Sequence, residues 1–297
     1  MSLKSMLIQA LGGGLLALSA LTAQAAPLHL DVYNPGEASV FPVTSTLITG
    51  EREALLIDAQ FQRDDAQALV DKIRASGKTL TTIYISHSDP DYYFGLDLIH
   101  AAFPAAKLLA TGETRAKILA NKDRKLEYWG PILKDNAPRQ IIVPDAMEGD
   151  RLALEGKSLN VIGLNGPAPE RTVLWIPSLK TVLGGVPVSA NIHVWIADTQ
   201  TETSRSNWLT LLEQLQALNP DQVIPGHYLP NADGTSPFDG QALAFTRDYL
   251  TAFESEAARA DNAADLITAM QRRYPTLEDS SSLELSAKVI KGEMSWP

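Results

Sequence analysis

An imidazole and two carboxylates, those of His87, Asp89 and Asp91, fall in the short segment His87-Ser88-Asp89-Pro90-Asp91-Tyr92, directly after the apolar run Thr82-Ile83-Tyr84-Ile85. Such groups bind divalent metals and move protons near neutral pH. A polar loop fed by a buried strand is a common place for that chemistry. The same residues have a second use, because Asp89-Pro90 and Asp91 can form an Asx-type turn that caps a following helix. Other catalytic schemes find little to work with. The chain has no cysteine, which removes thiolate nucleophiles and thiolate ligands. It also has no G-x-S-x-G elbow and no phosphate-cradling glycine loop.

The elements that must position these groups begin after a leader. Lys4, the apolar stretch from Met6 to Leu21 and the small residues of Ala23-Gln24-Ala25 form the pattern of a secretory signal peptide. Residues 1–25 are therefore predicted to be removed by a cut after Ala25, giving a periplasmic or secreted protein. An uncleaved anchor is the alternative, although the run is short against the roughly 20 residues a span requires. No later stretch reaches that length, so no membrane association is expected after cleavage. The remaining residues, 26–297, suffice for one large domain that relies on its core rather than on disulfides. A net charge of −10 argues against a nucleic-acid partner.

Leu28–Tyr33, Ser39–Leu47 and Ala54–Ile57 read as strands, and 62–76 as a helix stopped by Gly77. Leu80–Ile85 is a strand, 94–102 a short helix, Lys107–Ala110 a strand, and 113–128 a helix broken by Gly130-Pro131. Strands follow at 140–143, 151–154, 158–164, 172–176 and 181–183. Ser204 is expected to cap a helix with Trp208, Leu211, Leu212, Leu215 and Leu218 on one face. A last strand, 222–224, ends at Pro225-Gly226-His227; helix then dominates 239–273, with a further turn or two over 283–291. Mixed hairpins and crossovers imply two sheets with helices packed outside. Asp58, the 87–92 segment and His227 each follow a short strand and can converge at one edge of a sandwich.

In this order and spacing the chain resembles the metallo-β-lactamase fold superfamily. Leu56-Ile57-Asp58 matches its strand-plus-aspartate. Ile85-Ser86-His87-Ser88-Asp89-Pro90-Asp91-Tyr92 lies where the family has T-H-x-H-x-D-H. Phe94-Gly95-Leu96 matches the glycine that opens the next helix, and Ile224-Pro225-Gly226-His227 the late proline-glycine-histidine. The resemblance implies an α+β, four-layer αβ/βα sandwich: a single domain over 26–297 with a helical extension from about residue 239. It also exposes departures. The motif's second histidine is Asp89 and its third is Tyr92. No histidine stands in Asn165-Gly166-Pro167-Ala168-Pro169-Glu170-Arg171-Thr172, where the family's middle ligand belongs, and Gly185 takes the place of the bridging aspartate. With five histidines in all, His29 and His100 among them, the usual two-metal centre cannot be assembled.

What the resemblance leaves is His87, Asp89, Asp91 and His227, enough for one divalent ion, zinc, manganese or iron, with an open water position, or for none. Such an ion would supply hydroxide, with Asp91 orienting water or protonating a leaving group and Tyr92 donating to an oxyanion. His227 can instead simply hydrogen-bond within its loop. Asp58 is assigned to bracing the motif loop, and His193 and Trp195 to contacting substrate at the mouth of the site, although His193 also reads as an ordinary surface histidine. Tyr128-Trp129 reads as core or pocket wall. Two functions follow. One is an exported hydrolase of a small ester, lactone, thioester or amide at a reduced, single-metal site. The other is a catalytically inactive descendant that binds a small ligand or a partner. Neither oligomeric state nor substrate is indicated.

Overall fold

The computed structural model describes residues 26–277 and 280–296; the expected signal peptide lies outside them. Strands β1 (His29–Tyr33), β2 (Ser45–Thr49) and β3 (Glu53–Ile57) form an antiparallel meander. Helix α1 (Arg63–Ser76) crosses over to β4 (Thr79–Ile85), which runs parallel to β3. After α2 (Pro90–Tyr93) and α3 (Leu96–Ala102), β5 (Lys107–Ala110) continues the parallel run, and α4 (Gly112–Leu133) leads to β6 (Asp145–Ala146). These six strands make one sheet in sequence order.

The second sheet takes β7 (Arg151–Leu154), β8 (Lys157–Ile162), β9 (Val173–Ile176) and β10 (Thr181–Leu183). After β11 (Ser189–Ala190) and α5 (Glu202–Ala217) it adds β12 (Gln222–Ile224), giving the order β12-β10-β9-β8-β7. β13 (His227–Tyr228) pairs with β11, and α6 (Gln241–Ala257), α7 (Ala263–Arg273) and α8 (Ser280–Ile290) follow.

Three apolar clusters separate four layers, as the sandwich expectation requires. Alternation along β3 shows the cause: Ala54 and Leu56 face the helices α1 and α3, while Leu55 and Ile57 face the second sheet. Because both faces are buried, the strand reads as a continuous apolar run. Between the sheets, Ile48, Leu55 and Tyr84 meet Leu154, Leu159, Leu174 and Ile224. The third cluster packs α5, α6, α7 and α8 on the second sheet around Trp208, Leu215, Tyr249 and Phe253.

Several boundaries differ from the sequence reading. Gln140–Val143 is unpaired chain between Pro138 and Pro144, and the strand falls at β6 instead. The second strand begins at Ser45, since 39–44 is loop. Helix α4 runs through Pro131 to Leu133, because Trp129 and Leu133 are buried on either side and packing overrides the lost N–H. Thr201, not Ser204, is the N-cap of α5, and Ser204 completes a capping box at the third helical position. The mostly helical stretch 239–273 divides into two helices, α6 and α7.

Leu56 is fully buried where the parallel strands meet the helical layer. Leu56→Ala is expected to cost about 2–5 kcal/mol, read as a lowered urea midpoint with unchanged slope.

Candidate functional site

The site begins where β3 and β4 end side by side. Asp58 follows β3 with φ of 62°, a left-handed conformation that Asp tolerates better than most residues. The turn aims its carboxylate at the start of the next loop: the Ser86 backbone N–H and hydroxyl donate to its two oxygens at 2.8 and 2.7 Å. These contacts tie the motif loop to the end of β3. Burial pushes the Asp58 carboxyl up to about 7, against the hydrogen bonds from Ser86. Gly95 lets α3 approach the loop after β3, since a Cβ there would overlap the Ala59 carbonyl. Gly226 does the same for the last loop, where a Cβ would overlap the Gly185 carbonyl.

These supports bring His87, Asp89, Asp91, Tyr92 and His227 to one end of the sandwich, but as two separate groups. In one, His227 Nε2 lies 2.7 Å from Asp91 Oδ2 and its Nδ1 lies 3.0 Å from the Tyr92 hydroxyl. Burial, with Asp91 adding, raises the Tyr92 phenol well above its ordinary pKa, so it stays protonated. A neutral Nε2–H imidazole satisfies the whole chain: the tyrosine donates to Nδ1, and Nε2–H donates to the aspartate. Both ring nitrogens are then engaged by side chains of α2, not within the histidine's own loop as the alternative sequence reading had it.

In the other group, Asp89 Oδ2 lies 3.3 Å from His87 Nδ1, and Asp89 Oδ1 lies 3.5 Å from the ammonium of Lys125. Asp89 sits at the N-cap position of α2 with Pro90 next, yet its side chain makes no capping hydrogen bond. The turn-forming alternative thus holds for the backbone only. Burial by itself would raise the Asp89 carboxyl, but His87, Lys125 and Arg171 outweigh it and hold the group well below the usual carboxylate range.

Among the described residues, no three His, Asp or Glu side chains are grouped so as to hold a metal ion. The donor chemistry gives the reason. His227 has no ring nitrogen to spare, and a lysine ammonium already sits against Asp89. The residues present do not fit the metal centre that the resemblance implies.

Lys125 and Arg171 were not singled out from sequence. Lys125 carried a signal: on α4 the buried positions are Thr114, Ile118, Lys125, Trp129 and Leu133, so a lysine occupies the apolar stripe. Its ammonium also lies 4.9 Å from the Trp296 ring centroid. Arg171 is 2% exposed and stacks on Trp208 at 4.3 Å. Burial lowers its pKa, while Asp198 and Asp89 oppose that.

A pocket beside both groups is lined by Asp89, Asp91, Lys125 and His227 at one end and by Phe41, Trp129, Trp195 and Trp296 along its walls. Trp129 is thus both core and wall. His193 and Trp195 also line it, but His193 is buried, not a surface residue, and its Nδ1 lies 2.9 Å from the Tyr249 hydroxyl. Trp296 is part of the pocket wall. It packs edge-on against Trp195 and Tyr128, and its indole N–H donates to Asp198 at 2.9 Å. Trp195 donates to the same carboxylate.

Two outcomes follow. Because the folded pKa of Asp58 exceeds its ordinary 3.8, the native state binds the extra proton between about pH 4 and pH 7, and this contribution to stability is lost as pH rises through that window. Asp58→Asn is expected to remove this term, so that the wild-type-minus-variant difference in denaturant stability declines as pH rises through the window, whereas Asp58→Ala, which strips Ser86 of its acceptors, costs about 1–3 kcal/mol at every pH. Trp296→Ala should lower the melting temperature and increase binding of an apolar dye, as the opened pocket exposes its aromatic wall.

The comparisons with known proteins agree with the fold. The family model described as the metallo-beta-lactamase superfamily matches residues 38–227. A metallo-beta-lactamase family protein from Thermus thermophilus superposes with TM-score 0.61 at 18% identity, covering 90% of this chain and 93% of that one. A metallo-beta-lactamase from Pontibacter korlensis superposes with TM-score 0.54 at 19% identity, over 75% of this chain and 94% of the other. No curated protein matches the sequence. With 190 of its 297 residues matched, and with the fold shared, the chain belongs to the metallo-β-lactamase superfamily.

Proposed function

We propose that this protein is an exported, metal-independent member of its superfamily that binds a small molecule in the aromatic pocket. The observation that carries this reading is the Lys125 ammonium 3.5 Å from Asp89. A carboxylate largely withdrawn from water, as Asp89 is, favours a nearby cation, and here the chain supplies one from α4. The ordinary value of the lysine, which burial would lower, is instead raised by Asp89, Asp198 and Asp91, so it remains charged. The aromatic pocket's apolar walls and few convergent polar groups have the character of a small-ligand site, and its free volume of about 40 Å³ means that a wall must move to admit one.

A second reading is the reduced, single-metal hydrolase of an ester, lactone, thioester or amide. It is favoured by the superfamily's hydrolase-like fold and by the presence of Asp91 and His227 in the same pocket. It requires Tyr92 to release His227 and Lys125 to leave Asp89. The negative net charge supports a small-molecule partner over nucleic acid, and the leader pattern supports a periplasmic setting.

Metal analysis decides between the two. Tag-free protein purified without chelator is expected to hold zinc, manganese and iron far below stoichiometry and to gain no thermal stability when they are added. Stoichiometric metal that disappears in both His87→Ala and His227→Ala would overturn the proposal. Lys125→Met, which leaves Asp89 largely withdrawn from water without its ammonium, should cost about 3–5 kcal/mol near neutral pH. Since Asp89 is held low in the folded state, that difference should narrow as acid protonates the stranded carboxylate in the variant.

A further inference from the structure

A second cavity, of about 280 Å³, lies on the other side of the Asp89–Lys125 pair and is lined by His87, Lys117, Asn121, Glu170, Arg171 and Asp198 besides that pair. Its acidic groups are already engaged. Asp89 faces His87 and Lys125, Glu170 faces Lys117 at 4.0 Å, and Asp198 accepts from two indoles. Arg171 differs. Its guanidinium is stacked on Trp208 and buried, and its Nη1 is out of contact with solvent yet has no hydrogen-bond partner. An unpaired buried donor is costly, and an unpaired planar fork matches one oxyanion bidentately.

We propose that this cavity is a carboxylate-binding site in which Arg171 grips the acid group of a small ligand, with Asn121 as a neighbouring polar contact. The charge of the lining selects the ligand. Asp89, Glu170 and Asp198 already balance the charges of Lys117, Lys125 and Arg171 in the lining, so an added anion is held by hydrogen bonds to Arg171 rather than by a surplus of positive charge, and a singly charged carboxylate meets less repulsion there than a dianionic phosphate. Asp89, Lys125 and Asp198 line both cavities.

This inference rests on the metal-independent reading and deepens it, so the test uses protein shown by elemental analysis to be free of metal. Sodium propanoate, sodium phosphate and sodium chloride are titrated at constant ionic strength while the melting temperature is followed. Calorimetry then compares 3-phenylpropanoate with 3-phenylpropanol. The expected result is concentration-dependent stabilisation by propanoate beyond chloride and phosphate. Binding of the phenyl acid should be at least about tenfold tighter than that of the alcohol, a ratio corresponding to one charge-assisted contact. Arg171→Gln should abolish the preference for the acid. Should that variant fail to fold, Asn121→Ala, on the helix surface, must weaken the acid and leave the alcohol unchanged. Equal binding of acid and alcohol, or stronger stabilisation by phosphate, overturns the carboxylate assignment while leaving a metal-free ligand pocket in place. Protein that retains stoichiometric metal overturns the underlying reading itself.

Discussion

The site is organised by the need to neutralise one half-buried carboxylate. Asp89 stands between His87 on its own loop, Lys125 on α4 and the more distant Arg171 ahead of β9. A charge removed from water in this way is tolerated only when paired. Meeting that condition ties the end of β4 to a helix on one side of the sandwich and to the second sheet on the other. Asp58 fixes the starting point of the loop, and Gly226 lets the His227 loop close against Gly185. The remaining aromatic wall is packed around these charges.

Membership of a metal-hydrolase superfamily makes the substitution physically coherent. Positions that hold cation-binding imidazoles in the family's motif carry Asp89 and Tyr92 here. An aspartate in place of a neutral ligand adds negative charge, and a lysine on the facing helix offsets it. A tyrosine in place of a ligand brings a hydroxyl within 3.0 Å of His227 and occupies its second nitrogen. The two changes therefore work together: Asp89 is occupied by Lys125, and Tyr92 occupies the second nitrogen of His227.

The sandwich was legible because both periodicities that define it are written plainly. Strands β3 and β4 are short apolar runs with both faces buried, and Asp58, the 87–92 segment and His227 each follow a strand end. What was not legible has a common cause. Gln140–Val143 has strand-like residues, but Pro138 and Pro144 flank it and no neighbour pairs with it. Helix α4 survives Pro131 because Trp129 and Leu133 are buried by distant parts of the chain. Lys125 and Arg171 matter through what they face across the fold, and only a lysine in an apolar stripe hinted at the first. His193, near Trp195 and Asp198, reads as an ordinary surface histidine, yet helix α6 covers it through Tyr249.

Trp296 gives the pocket a kinetic property. Its indole bridges Asp198, Trp195, Tyr128 and Lys125, so a molecule entering from that side must first displace it. Unseating a ring held by several neighbours is a unimolecular step, independent of how much ligand is present. Association through this mouth would therefore reach a ceiling rate at high concentration, with the protein's own opening as its clock.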